Sequence, residues 1–428
     1  MKAEIIAVGS ELLTPDRLDT NSLYITGRLN RMGIAVARKI VVADEHQQLC
    51  DAFRESLARA DLVVATGGLG PTEDDLTREA ISETLGRKLA LNHDVLRVIE
   101  ARFRRLGRPM AERNARQAMV PEGASVLENS RGTAPGLWIE TDGRIVILLP
   151  GPPHELKGIF TEQVEQRLAR LAGGVRLHSR ELRTVGVPES DLDERIAPIY
   201  GRYGDVQTTI LAGLGEIQIH LRTWSKDAPA AELILDELVQ KIAVELGESI
   251  FTVSGQSIEE IVAAELTRNR ATIAAAESCT GGLLAERLTR VPGSSSYFRG
   301  GVVCYSNELK TAWADVPAAL IEARGAVSPE VAQALATGIR LRTGATLGVG
   351  ITGVAGPSGG TPEKPVGLVH IALSDAAGFK EHAGRFTGDR ERIRWFASQT
   401  ALDMVRRYFI HGLHGVDSRP ARPLGAQG

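Results

Sequence analysis

Leu62-Val63-Val64-Ala65-Thr66 is a short uncharged run with no polar alternation, and it stops abruptly on Gly67-Gly68-Leu69-Gly70-Pro71. A strand of that kind is buried on both faces, which is the mark of a parallel sheet. Parallel neighbours need helical crossovers, and the flanking sequence supplies them. Residues 5–8 read as a strand, 21–32 as a helix with Leu23, Ile25 and Leu29 on one face, 34–42 as a strand, and 44–60 as a helix with Leu49, Phe53 and Leu57 four apart. The period switches in the order βαβαβ, so the chain opens on an α/β layer structure. With 45 glycines and only 4% aromatic residues, the composition also favours tight strand-to-helix turns over an aromatic-rich sandwich.

At roughly 150 residues per domain, 428 residues suggest two or three domains. Helical patterns at 75–85 and 93–106 lead to two strand-like runs, 136–140 and 144–149, joined by Thr141-Asp142-Gly143, a hairpin signal. A Pro-Gly-Pro-Pro break at 150–153 starts a helix over 155–171, and the first domain is placed at 1–172. The segment 173–252 reads as strand, helix, two strands and helix. It carries no chemical cluster and is taken as a spacer or docking surface. A third block, 253–412, begins with a helix and a strand at 271–276 and ends in a long amphipathic helix, 389–410; residues 413–428 read as a flexible tail. Lys and Arg number 50 against 53 Asp and Glu, a net charge of -3 that argues against a nucleic-acid partner. Cys50, Cys279 and Cys304 are too few for a disulfide framework. No stretch reaches the roughly 18 apolar residues of a membrane span, and no signal core follows Met1. A cytoplasmic protein without membrane contact is expected.

The first domain concentrates chemistry in Gly67-Gly68-Leu69-Gly70-Pro71-Thr72-Glu73-Asp74-Asp75, where glycines let backbone amides approach phosphate and carboxylates offer hard oxygen ligands to a divalent cation. The plain alternative is that Asp74 and Asp75 cap a helix. Gly9-Ser10-Glu11-Leu12-Leu13, with Asp19-Thr20-Asn21, follows the first strand and should open on the same sheet edge, so the two loops are expected to face one crevice. Pro150-Gly151-Pro152-Pro153-His154-Glu155 is placed on its third side. Arg102, Arg104, Arg105, Arg108, Arg113 and Arg116 read as a solvated helix face rather than a phosphate bridge.

These first-domain motifs together resemble the molybdopterin-binding-like domain that heads the CinA family of competence- and damage-inducible proteins. The resemblance covers the whole domain. It implies a metal-dependent pyrophosphatase that splits ADP-ribose into AMP and ribose 5-phosphate. Asp74 and Asp75 would lie on the metal, Glu11, Asp19 and Asn21 near the ligand, and Gly67, Gly68, Gly70 and Gly151 against it. The cation would be of the Mg, Mn or Co class, with potassium as an additional candidate.

In the last block, Ala276-Glu277-Ser278-Cys279-Thr280-Gly281-Gly282 follows a strand and precedes a helix, and two nucleophiles compete there. Cys279 has no histidine near it in sequence, and Ser278 needs a base. Lys310, in Cys304-Tyr305-Ser306-Asn307-Glu308-Leu309-Lys310, serves only if burial or neighbouring positive charge depresses its pKa well below about 10.4; otherwise it is a surface lysine. A third glycine-rich turn is expected at 350–360 after a strand at 346–349, and Arg390 opens the final helix. In this order the four stretches are similar to the C-terminal domain of the CinA family, the nicotinamide mononucleotide deamidase also found alone as PncC. The resemblance implies hydrolysis of the nicotinamide amide without a cofactor. Ser278 would be the nucleophile, Lys310 its base, Tyr305 an orienting or relay group, and amides around Thr280 and Gly281 the oxyanion donors. Gly282, Asn307, Thr352, Gly353, Ala355 and Gly356 would line the nucleotide site, and Arg390 would hold its phosphate.

With both ends matched, the middle segment resembles the family's KH-type unit, but Gly213-Leu214-Gly215-Glu216 lacks the basic G-x-x-G clamp of an RNA binder. The expected architecture is therefore two three-layer α/β domains, with parallel or mixed sheets, joined by a small KH-like α+β domain. The chain is expected to be a homodimer acting on small nucleotides. Two rival readings are a first domain that binds a pterin or nucleotide without turnover, and a DNA-uptake accessory.

Overall fold

The computed structural model describes residues 1–171 and 173–415; most of the expected tail, 413–428, lies outside them. The chain divides into two compact units, residues 1–178 with 223–232, and residues 179–222 with 233–428.

In the first unit, β1 (Lys2–Val8), α1 (Thr20–Arg31), β2 (Ala35–Val42), α2 (His46–Arg59) and β3 (Leu62–Thr66) form the expected βαβαβ. α3 (Thr77–Thr84) follows the glycine loop. A two-stranded ribbon of β4 (Leu89–Leu91) and β5 (Met119–Pro121) flanks α4 (His93–Arg105). β6 (Ser125–Leu127), β7 (Gly136–Thr141) and β8 (Arg144–Leu149) complete a six-stranded sheet of order β2-β1-β3-β8-β7-β6. All five residues of β3 are buried, as the unalternating run requires. Asp142 and Gly143 take φ of 45° and 75°, the paired left-handed turn that the Asp-Gly signal predicts. α5 (Pro153–Ile159) runs through one wide turn (Phe160–Val164) into α6 (Glu165–Leu171). Apolar clusters cover both faces of the sheet, one around Phe53, Val63 and Leu148, the other around Ile5, Ile147 and Phe160. The chain leaves β1 toward β2 and returns to β3 on the opposite side. A switch point of that kind opens a crevice at the carboxyl ends of β1 and β3.

The middle stretch contributes β9 (Arg176–Thr184), α7 (Glu189–Tyr200), β10 (Gln207–Ala212), β11 (Ile217–Ser225), α8 (Ala228–Leu246) and β12 (Ile250–Thr252), with sheet order β10-β11-β9-β12. The alternating burial of β11 leaves one face of this sheet against a core of Leu192, Ile219 and Leu238.

The last block is α9 (Ile258–Arg268), β13 (Ile273–Glu277), α10 (Leu283–Thr289), β14 (Phe298–Val303), α11 (Asn307–Ala314), α12 (Ala318–Arg324), α13 (Pro329–Thr343), β15 (Leu347–Gly353), β16 (Leu368–Ser374), β17 (Phe379–Arg385) and α14 (Arg390–Gly415). Its five strands run β14-β13-β15-β16-β17, with β13 parallel to both neighbours. A second switch point thus lies between β13 and β15. One expectation is corrected: residues 350–353 belong to β15, not to the turn. A Cβ at Gly350 would lie 2.3 Å from the Ala332 carbonyl oxygen, and one at Gly348 2.1 Å from that of Ala336. These glycines let α13 press onto the sheet. Among the described residues no helix is long and apolar enough to cross a membrane.

Candidate functional sites

The first crevice is a cavity of about 390 Å³ lined by Gly9 and Glu11 after β1, Gly67 to Pro71 with Asp74 and Asp75 after β3, and Gly151 and Glu155 after β8. The three loops thus meet as the strand order requires. Gly67 and Gly68 are left-handed (φ 104° and 63°); a Cβ on Gly67 would strike the Val8 carbonyl oxygen at 2.2 Å. The loop between them and α3 is tied down from behind. Thr77 donates its hydroxyl to the Gly67 carbonyl, and buried Arg78 donates to the carbonyls of Leu69 (2.7 Å) and Gly70 (2.9 Å). Arg116 donates to the Thr72 carbonyl and pairs with Glu79. Arg116 therefore leaves the solvated face on which the sequence placed it.

Asp74 is exposed, and the Thr72 hydroxyl holds its carboxyl below the usual range. Asp75 accepts from the Gly70 amide at 2.7 Å and from the Thr72 amide and hydroxyl, so it shapes the loop whatever else it does. Asn21 donates to the Thr66 hydroxyl and the Gly151 carbonyl, bracing two sides of the crevice, and Asp19 caps α1. The exposed carboxylates of Asp74 and Glu11 could supply hard oxygen donors of the kind that a divalent cation beside a phosphate needs. Among the described residues, the one group of three acid, His or Cys side chains with donors within 4.8 Å is His46, Cys50 and Glu83, and none of these lines the crevice.

At the second switch point, β13 ends in Glu277, and Ser278 continues the register by donating its amide to the Ile351 carbonyl at 2.9 Å. Ser278 is 9% exposed. Cys279 is buried, and desolvation pushes its thiol up to about 12, so it does not ionise near neutral pH. Lys310 is 2% exposed; its ammonium donates to the carbonyls of Cys304 (3.0 Å) and Tyr305 (3.3 Å), and burial lowers its pKa. The shift has the direction that a lysine base requires. Tyr305 is 57% exposed and accepts from Arg390 at 2.8 Å, while Arg390 also donates to the Gly356 carbonyl at 2.9 Å. Tyr305, Gly356 and Arg390 thus converge. Ala355 is buried beside them in sequence, and Asn307 begins α11 exposed. Thr352 spends its hydroxyl on the Ala326 carbonyl, so its side chain braces the wall.

The oxyanion expectation also changes in detail. The Gly281 amide donates to the Ser278 carbonyl and the Gly282 amide to Glu277. Three positioning residues escaped the sequence reading: Arg78 behind the glycine loop of the first crevice, and Glu277 and Arg394 at the Ser278 turn. Each looked like ordinary helix or strand charge, although Arg394 stands one helical turn from Arg390, a spacing that could have flagged it.

Fold and geometry define a multidomain α/β protein with candidate sites at two parallel-sheet switch points. Residues 4–170 match the "Probable molybdopterin binding domain" family, 179–252 the "Damage-inducible protein CinA KH domain", and 255–409 the "CinA C-terminal domain". A CinA-like protein of Koribacter versatilis is 51% identical over 96% of this chain and 100% of its own length. Another, of Solibacter usitatus, is 49% identical over 95% and 98%. A solved CinA structure from Thermoplasma acidophilum is 34% identical, covering 39% of this chain and 98% of its own, with a TM-score of 0.37. The chain belongs to the CinA family.

Proposed function

We propose that this chain is a hydrolase of pyridine-nucleotide metabolism with two sites. The last block deamidates nicotinamide mononucleotide to nicotinate mononucleotide and ammonia; the first unit hydrolyses ADP-ribose to AMP and ribose 5-phosphate. The observation that carries the first activity is Lys310, a buried lysine with a lowered pKa, one turn into the helix after β14 and electrostatically coupled to Cys279, the neighbour of Ser278. A neutral lysine can take the Ser278 proton as its oxygen attacks the amide carbonyl and return it to the leaving ammonia; a water then cleaves the resulting ester, releasing the carboxylate and restoring the Ser278 hydroxyl. Arg390 and Tyr305 would orient the mononucleotide, with Arg390 toward its phosphate. In the first unit Asp74, with Glu11, would hold a divalent cation, and Asp75 would keep the loop in shape around it. Such a cation supplies charge neutralisation of the pyrophosphate.

Ammonia release from nicotinamide mononucleotide should disappear in Ser278→Ala and persist in Cys279→Ala; the reverse pattern rejects the assignment. AMP formation from ADP-ribose with added Mg or Mn should fall by at least about 10²-fold in Asp74→Asn. The commitment of Asp75 to the loop favours one rival, a first unit that binds without turnover. Calorimetric binding of ADP-ribose with no AMP formed would select it.

A further inference from the structure

Glu277 and Arg394 carry opposite charges and both are directed at backbone, one on each side of the Ser278 turn. The buried Glu277 carboxylate accepts three amides, those of Gly282 (3.1 Å), Leu284 (3.0 Å) and Ala285 (2.8 Å). Arg394 gives two donors to one oxygen, the Thr280 carbonyl, at 3.0 and 2.7 Å. The amides from 278 to 286 can be accounted for one by one. Ser278 donates to Ile351, Gly281 to Ser278, Leu283 to Thr280 and Glu286 to Gly282. Glu277 takes three more. Among the described residues the Thr280 amide has no hydrogen-bond partner, and the Cys279 amide meets only its own sulfur, a weak acceptor. The Thr280 hydroxyl is likewise buried and unpartnered. Unpaired buried donors are costly and rare, and a ligand that accepts from them repays the cost.

We propose that Glu277 and Arg394 are positioning residues of the deamidation site, holding the Ser278 turn so that the donors of Cys279 and Thr280 stay available until substrate arrives. Glu277 removes the competing amides of the turn that follows. Arg394 fixes the peptide plane after Thr280, and with it the angle at which Thr280 presents its amide and hydroxyl. Neither side chain needs to touch substrate. The inference rests on the deamidase reading given above.

The test uses the full-length chain and nicotinamide mononucleotide. Glu277→Gln keeps the shape of the side chain but halves its acceptor capacity, and Arg394→Gln removes the double donor. Both should lower kcat for ammonia release by about 10²-fold with KM unchanged within about twofold, because misplaced donors are felt in the transition state rather than in ground-state binding. Arg394→Lys, which restores one cationic donor, should recover part of the loss; a loss that came from general loosening would raise KM and lower the melting temperature in step. If Glu277→Gln does not fold, the Arg394 pair decides alone. Wild-type kcat in folded Glu277→Gln or Arg394→Gln overturns the inference while leaving the deamidase reading intact. No ammonia from the wild-type chain overturns both.

Discussion

Lys310 holds its ammonium among buried carbonyls, and that placement costs stability at neutral pH. Its folded pKa lies below the unfolded value, so between the two the unfolded chain carries the extra proton. Stability contributed by this group therefore rises with pH across that window, up to about pH 10.4, and is constant below the folded pKa. Lys310→Met should abolish ammonia release yet raise the melting temperature near neutral pH, by about 2–4 °C for each kcal/mol of burial cost removed. Thermal scans from pH 6 to 10 should also show a flatter stability profile in the variant; an unchanged profile and melting point would mean that the lysine is not strained. The sequence showed that Lys310 follows a strand by one helical turn. It did not show the burial, which is a tertiary property: α11 packs through Ala314 into a cluster with Val331 and Leu335 of α13, far along the chain. Glu277 was illegible for a similar reason: its partners are backbone amides, which leave no signature in side-chain types.

At the scale of elements, glycine has two uses in this chain, and local pattern does not separate them. Gly67 and Gly68 are left-handed and open a loop, as the motif implies. Gly348 and Gly350 lie inside β15 and serve a helix instead. Gly350→Ala would push a methyl group against the Ala332 carbonyl and the Ala336 amide, with backbone on both sides and no flexible side chain to yield. We expect a loss of about 1–3 kcal/mol or more, read as a drop in the denaturant midpoint at constant m-value; less than about 0.5 kcal/mol would show that α13 can lift from the sheet. The order of the longer strands and helices was legible in the first domain and the middle segment because uninterrupted runs and amphipathic periods are strong signals. The short strands β4, β5, β6 and β12 were missed, since three residues carry no period.

For the whole molecule, the first crevice lies in one compact unit and the Ser278 turn in the other. The two activities should be separable: Asp74→Asn should leave ammonia release within about twofold of wild type, and Ser278→Ala should leave AMP formation equally untouched. Loss of both in either single variant would show obligate coupling. All three cysteines of the chain are buried, and desolvation raises the pKa of each. A thiol that does not ionise is a poor target for peroxide or alkylating agents. The protein thus places a sulfur beside its proposed nucleophile without acquiring redox sensitivity there, and its turnover should persist through oxidative stress that silences enzymes dependent on a thiolate.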